Sequence, residues 1–230
     1  MSGYGQFCPV AVASEVFARR WTPLILRELL AGSTHFNDIK RGLPLISRTL
    51  LAERLRELEA AGIVTRATDG AQKQPEYRLT AAGLEFRSVL DSLGAWGQRW
   101  SVRFDARNLD PNLLMWNLRR RLATDRLPAR RTVVRFDFTG LPPQHRKQNM
   151  FWLIVDRQQV DLCIVDPGDE VDLYVRADIK CMAEVWMGDR TINEALRSGR
   201  VQLTGRRELV RAFPSWLLLS KFAAVAHPSA

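Results

Sequence analysis

The sequence predicts an α+β fold in two parts: a helical N-terminal region, then a C-terminal region with a mostly antiparallel sheet covered by helices. Three observations predict it. Through residues 1–100 the apolar residues recur mainly at helical spacings of three and four. Through 132–177 they alternate or run continuously, as strands do. Between the two lies 101–112, SVRFDARNLDPN, with little apolar periodicity and with Asp110-Pro111 marking a new start. We divide the chain into domains 1–104 and 105–230.

In the first domain, Pro9 opens a helix reaching Arg19 and Arg20. Thr22-Pro23 opens a second, with Leu24, Ile25, Leu29 and Leu30 as its stripe and Gly32 as its stop. Ser33-Thr34 caps a short helix over Phe36, Ile39 and Leu43, which Pro44 ends. Ser47 caps a fourth helix that runs to Ala61 and closes at Gly62. Residues 63–66 and 77–80 read as two strands around a polar tip, 69–75. A long helix over 81–100 carries Leu84, Val89, Leu93 and Trp96. In the second domain 113–122 reads as a helix, 132–139, 150–156, 159–165 and 171–177 as strands, 178–187 and 192–197 as helices, 201–204 as a strand and 208–219 as a helix.

Composition narrows the function classes. The 230 residues carry a formal charge of +9 and are 46% hydrophobic, ordinary for a globular chain. No stretch is long and apolar enough for a transmembrane helix, and residues 1–14 lack the basic start and apolar run of a secretory signal. Three cysteines form neither a disulfide framework nor a CxxC pair, which points to a reducing cytoplasm. The three histidines are scattered, and no nucleophile elbow, phosphate loop or dinucleotide fingerprint occurs. We therefore expect no enzyme activity, no cofactor and no metal site.

Basicity makes nucleic acid a candidate partner, and the helix pattern says where. Two short helices joined by a tight Pro-containing turn and followed by a two-stranded ribbon form a winged helix-turn-helix. Its second helix must project from a rigid body into a major groove about 12 Å wide. On the fourth helix Leu51, Leu55 and Leu58 share the core face. The opposite face holds Thr49, Glu53 and Arg56, with Ser47 and Arg48 at the N-terminal end. These five are the groove-facing candidates. Lys40 and Arg41, just before the turn, suit phosphate contacts, and Arg66, Lys73 and Arg78 charge the wing.

The runs Cys8-Pro9-Val10, 21–30 (WTPLILRELL), 35–39 (HFNDI), Ile46-Ser47, 54–64 (RLRELEAAGIV) and 77–80 (YRLT) with Gly83 together resemble the HxlR family of bacterial transcription regulators over about residues 8–100. The resemblance implies a MarR-like winged helix, a homodimer formed through the outer helices, and binding to a two-fold double-stranded DNA operator. His35 and Arg48 depart from the family pattern, where an Arg and a Pro or Gln are common. Some members use an N-terminal cysteine as a redox switch, and Cys8 occupies that position.

In the second domain, the stretch 171–175 (VDLYV) with Asp178, then 186–189 (WMGD), Ala195-Leu196, 198–201 (SGRV), Leu203 and Gly205 is similar to the sterol carrier protein (type two) domain. That likeness extends over about 112–220. It implies a five-stranded sheet whose helices enclose an apolar tunnel for a small hydrophobic ligand. Trp116, Phe136, Phe138, Trp152, Leu162, Trp186, Met187 and Phe213 are the candidate lining residues. A rival reading makes the chain a lipid-binding protein whose helix-turn-helix serves only dimerisation, which sequence-specific DNA footprinting would eliminate. Charge also concentrates at 119–135, with seven Arg and one Asp; within it Arg119-Arg120-Arg121 read as a solvated face, with nearness to DNA or to the other subunit as the alternatives.

Overall fold

A computed structural model describes residues 3–67, 74–100, 108–157 and 159–226. The chain divides into two compact units, Met1–Trp96 and Gly97–Ala230. Lys73 and the segment 101–107, central to the predicted break, lie outside the described residues.

The first unit follows the helix signals. Helices α1 (Pro9–Phe17), α2 (Thr22–Leu30), α3 (Phe36–Arg41) and α4 (Arg48–Ala60) precede strands β1 (Val64–Ala67) and β2 (Glu76–Leu79), and α5 (Ala81–Trp100) closes the unit. Ile25, Leu26, Ile39, Leu51, Leu55 and Leu58 form its buried centre. Burying such a side chain contributes about 1.5–3 kcal/mol, so this one cluster organises all three helices. Ser47 caps α4 as predicted, its hydroxyl accepting from the Leu50 amide at 3.1 Å and contributing about 1 kcal/mol. The start of α3 differs from the prediction. His35 stands at the N-cap with no side-chain cap bond, and Ser33 is buried. The reason is that 34–35 belongs to the ribbon. The Tyr77 amide donates to the Thr34 carbonyl at 2.7 Å, and His35 bridges Glu76.

The second unit is a five-stranded sheet with helices. Its elements are α6 (Pro111–Arg120), β3 (Thr132–Thr139), β4 (Met150–Asp156), β5 (Gln159–Cys163), β6 (Leu173–Asp178), α7 (Ile179–Met187), α8 (Ile192–Arg197), β7 (Val201–Gly205) and α9 (Arg207–Trp216). The strand order is β5-β4-β3-β6-β7. Every neighbouring pair is antiparallel except the central β3–β6, which is parallel. Alternation sets the faces. Val134, Phe136 and Phe138 join Phe151, Leu153, Leu173, Val175 and Ala177 in the buried core that α6, α7 and α9 share. β5 ends at Cys163, two residues short of the prediction, and Ile164 and Val165 are exposed beyond it. Asp178 caps α7 through the Cys181 amide at 2.9 Å, and Thr191 with Glu194 makes a capping box on α8. Gly188 ends α7 at φ 85°, a left-handed conformation that glycine adopts without steric cost.

Arg119 and Arg120 are half-buried, while Arg121, Arg126, Arg130 and Arg131 are exposed. Arg119 Nε donates to the Val160 carbonyl and Arg121 Nε to that of Leu219, each at 2.7 Å. Arg120 stacks over Trp116 and Arg131 pairs with Asp169. These cations tie segments of the second unit together. Among the described residues no helix is long and apolar enough to cross a membrane, and no group of three or more His, Cys, Asp or Glu side chains could hold a metal ion.

Candidate nucleic-acid interface

Leu51, Leu55 and Leu58 point α4 into the core, so its other face is set by geometry. Thr49, Glu53 and Arg56 are exposed along it, with Ser47 and Arg48 exposed at its N-terminal end. Thirteen residues make α4 about 20 Å long, enough to lie along a major groove. Arg56 Nε donates to the Ala52 carbonyl of its own helix at 3.4 Å, and the side chain is exposed.

The remaining predicted cations differ in how they are held. Arg48 folds back on α3, donating to Asn37 Oδ1 at 2.8 Å and stacking 5.4 Å from the Phe36 ring centroid. Lys40 bonds the Pro44 carbonyl at 3.0 Å, so it fastens the turn between α3 and α4. Arg41 pairs with Asp38 at 3.3 Å yet stays exposed. On the ribbon Arg66 is exposed, and Arg78 pairs with Glu76 at 2.6 Å with most of its side chain in solvent. Arg54 lies on the flank of the groove face, donating to Glu53 Oε1 at 3.3 Å. It donates to Glu57 at 2.8 Å and to the Arg20 carbonyl at 3.3 Å, and Arg19 reaches the same Glu57 at 2.8 Å. That network joins α4 to the end of α1.

Sequence reasoning missed the lock beneath the turn. Glu28 of α2 has a side chain 0% exposed. Its carboxylate accepts from Arg27 Nη2 at 2.8 Å and Nε at 3.2 Å. The same Nη2 donates to the Gly42 carbonyl at 3.0 Å. A charge-assisted pair of this kind holds geometry more tightly than neutral bonds do, and here it fixes the turn that aims α4. The available signal was an acid at i+3 from Ile25, on the apolar side of α2.

Cys8 is exposed at the N-cap of α1. Pro9 has no amide hydrogen, so Val10 and Ala11 supply the first free donors, and their amides hold the Cys8 thiol below the ordinary cysteine value. Burial pushes the Cys181 thiol up. The thiolate is the reactive form, which gives a direct check. At neutral pH iodoacetamide should label Cys8 faster in the native chain than in urea, where the helix amides are gone. That lead should shrink as pH rises past about 8.5, where an ordinary thiol is also ionised. Equal native and unfolded rates at neutral pH would remove any helix-start activation.

Of the predicted pocket residues, Phe136, Phe138 and Phe213 meet in the core, with ring centroids about 6 Å apart. Leu162 and Trp186 pack against the same cluster. Trp152 is paired with Arg135 across β3–β4 and therefore lies on the opposite face of the sheet. Trp116 is buried beneath Arg119 and Arg120, and Met187 is half-buried at the end of α7.

Two helices set at a fixed turn, an outward helix face and an adjoining ribbon define a helix-turn-helix protein. A family model described as HxlR-like helix-turn-helix matches residues 16–105. The HTH-type transcriptional regulator YvaP of Bacillus subtilis is 34% identical over 113 residues, 47% of this chain and 95% of that protein. YodB of the same organism, also an HTH-type transcriptional regulator, is 35% identical over 40% of this chain and 85% of its own. Among solved structures, reduced YodB matches 44% of this chain and 100% of that chain at 32% identity and TM-score 0.38. The oxidised redox regulator HypR matches 43% and 100% at 32% identity and TM-score 0.39. The chain belongs to the HxlR-like helix-turn-helix family of transcriptional regulators. These relatives carry the names of regulators, not of enzymes.

Proposed function

We propose that the chain is a cytoplasmic, homodimeric transcription regulator that binds a two-fold DNA operator through residues 1–104, while 105–230 takes a hydrophobic effector. The observation that carries the DNA reading is the polar face of α4, with Thr49, Glu53 and Arg56 exposed opposite a fully buried leucine row. Base edges are read by such a face, and Arg66 and Arg78 on the ribbon supply backbone charge. Arg56→Ala should weaken binding to an operator selected from random DNA about tenfold or more, since a good base contact is worth about 1–3 kcal/mol. Arg66→Ala should lower affinity evenly across sequences and flatten the salt dependence. Unchanged gel-shift affinity for Arg56→Ala would refute the face assignment.

The dimer reading is supported by α5. Val89, Leu93, Trp96 and Trp100 recur at spacings of four, three and four and are exposed, Trp96 to 62%. A spaced apolar seam of this kind suits a second copy of the helix. The effector reading rests on the second unit, whose five-stranded sheet with helices fits a sterol-carrier-like module. Phe138 and Phe213 each pack against Phe136 there, so a ligand between sheet and helices displaces a ring. Extraction of the purified chain followed by mass spectrometry tests for such an occupant.

A redox reading is favoured by one observation, the exposed Cys8 thiol with its lowered pKa. It predicts that an oxidant alters operator affinity in the native chain and has no effect on Cys8→Ser.

A further inference from the structure

The turn between α3 and α4 carries one apolar side chain that the core of the first unit does not use. Leu43 and Ile46 are each 2% exposed and anchor the turn, whereas Leu45 between them is 82% exposed. Leu45 lies outside both the α5 seam and the N-terminal group Tyr4, Phe7, Val10 and Val12, the other exposed apolar stretches of this unit.

The backbone that presents Leu45 is tied down at several points. The Ile46 amide donates to the Leu43 carbonyl at 3.2 Å. That bond closes residues 43–46 as a turn with Pro44 second and Leu45 third, and Pro44 presets its own backbone angle. Lys40 Nζ donates to the Pro44 carbonyl at 3.0 Å and reaches that of Leu43 at 3.5 Å. Just before the turn, Arg27 holds the Gly42 carbonyl at 3.0 Å. Leu45 is therefore an apolar tip on an ordered turn, and little ordering entropy remains to be lost when it meets a partner. Two residues later Ser47 caps α4, so the chain keeps Leu45 within about 7 Å of the N-terminal end of that helix.

We infer that Leu45 reads thymine: its side chain packs on the 5-methyl group of one thymine in each half-site, beside the bases met by the start of α4. A helix-turn-helix brings the N-terminal residues of its second helix to the base edges, and the turn leading into that helix enters the groove with them. Among the groups that distinguish base pairs in the major groove, the thymine methyl is the apolar one. The others are hydrogen-bond donors and acceptors, which leucine cannot use. Packing leucine on the methyl removes apolar surface of both from water. A contact to the sugar-phosphate backbone would instead carry no base preference. This role rests on the DNA reading of residues 1–104 and adds a base preference to it.

The test uses the full-length chain and an operator selected from random DNA. Each thymine of that operator is replaced in turn by uracil, which keeps every hydrogen-bonding group and removes the methyl. Gel-shift affinity of the parent chain should fall about fourfold at one thymine in each half-site, the effect of one buried methyl group. Leu45→Ala, on an exposed side chain, should keep the thermal transition of the parent chain and bind the thymine operator severalfold more weakly. It should be indifferent to uracil at that position, so that the two changes are non-additive. Arg56→Ala should bind more weakly yet keep the uracil effect there. Selection repeated with Leu45→Ala should lose the thymine preference at that position. Three results would overturn the role of Leu45 while leaving the DNA reading in place: no uracil-sensitive thymine for the parent chain, an undiminished uracil effect in Leu45→Ala, or a Leu45→Ala loss spread evenly over all sequences. A parent chain that selects no sequence at all would end both.

Discussion

Gly42→Ala is expected to cost about 2–4 kcal/mol of stability in the first unit and to abolish operator binding. The backbone at Gly42 is ordinary, with φ −72°, so conformational freedom is not what glycine provides. Space is. A Cβ at this position would overlap the carboxylate of Glu28. A free glutamate would swing aside, but this one is fully buried and held by two donors of Arg27, which also grips the Gly42 carbonyl. Moving it draws a fully buried carboxylate away from Arg27, whose own side chain is 37% exposed, and a buried charge that loses its partner is destabilising. Overpacking alone costs about 1–3 kcal/mol. Urea unfolding checks the size, and Glu28→Ala supplies the control. With the carboxylate gone, Gly42→Ala should add little further loss, so the two substitutions should be strongly non-additive. Additive effects, or a neutral Gly42→Ala, would show that the turn is not locked from below.

The helices and ribbon of the first unit were legible because local rules agree there. Pro9, Pro23 and Ser47 start helices, Gly32 and Gly62 stop them, and the leucine row of α4 faces the core as its spacing requires. The groove face followed from that row. What each cation does could not be read the same way, because a long side chain chooses among partners that are distant in sequence. Arg54 reaches Arg20 across 34 positions and Arg48 reaches Asn37 across 11. In the second unit alternation gave the strands, but periodicity does not report register. It therefore could not separate Trp152, on one face, from Phe136 and Phe138 on the other.

Placing charge on the outer seam of α5 should convert the proposed dimer to a monomer. Leu93 and Trp96 are 48% and 62% exposed, flanked by Val89 and Trp100 on the same strip. Inside the unit α5 is anchored by other residues: Leu90 is buried and Phe86 stacks on Phe17 at 5.3 Å. Leu93→Glu with Trp96→Glu should therefore leave the thermal transition of the first unit close to that of the parent chain. Two glutamates per copy, facing two more across a two-fold axis, would bring four like charges into an apolar seam, and burying unpaired charge is prohibitive. Analytical ultracentrifugation at micromolar concentration should show a dimer for the parent chain and a monomer for the variant. Operator affinity should fall a hundredfold or more, because a dimer binds its second half-site at the high effective concentration set by the first. A half-site probe should lose far less. A variant that stays dimeric would move the interface to another surface, with Tyr4, Phe7, Val10 and Val12 the next exposed apolar group. A variant that turns monomeric yet binds the full operator undiminished would mean that one helix-turn-helix suffices and that the two-fold operator plays no part.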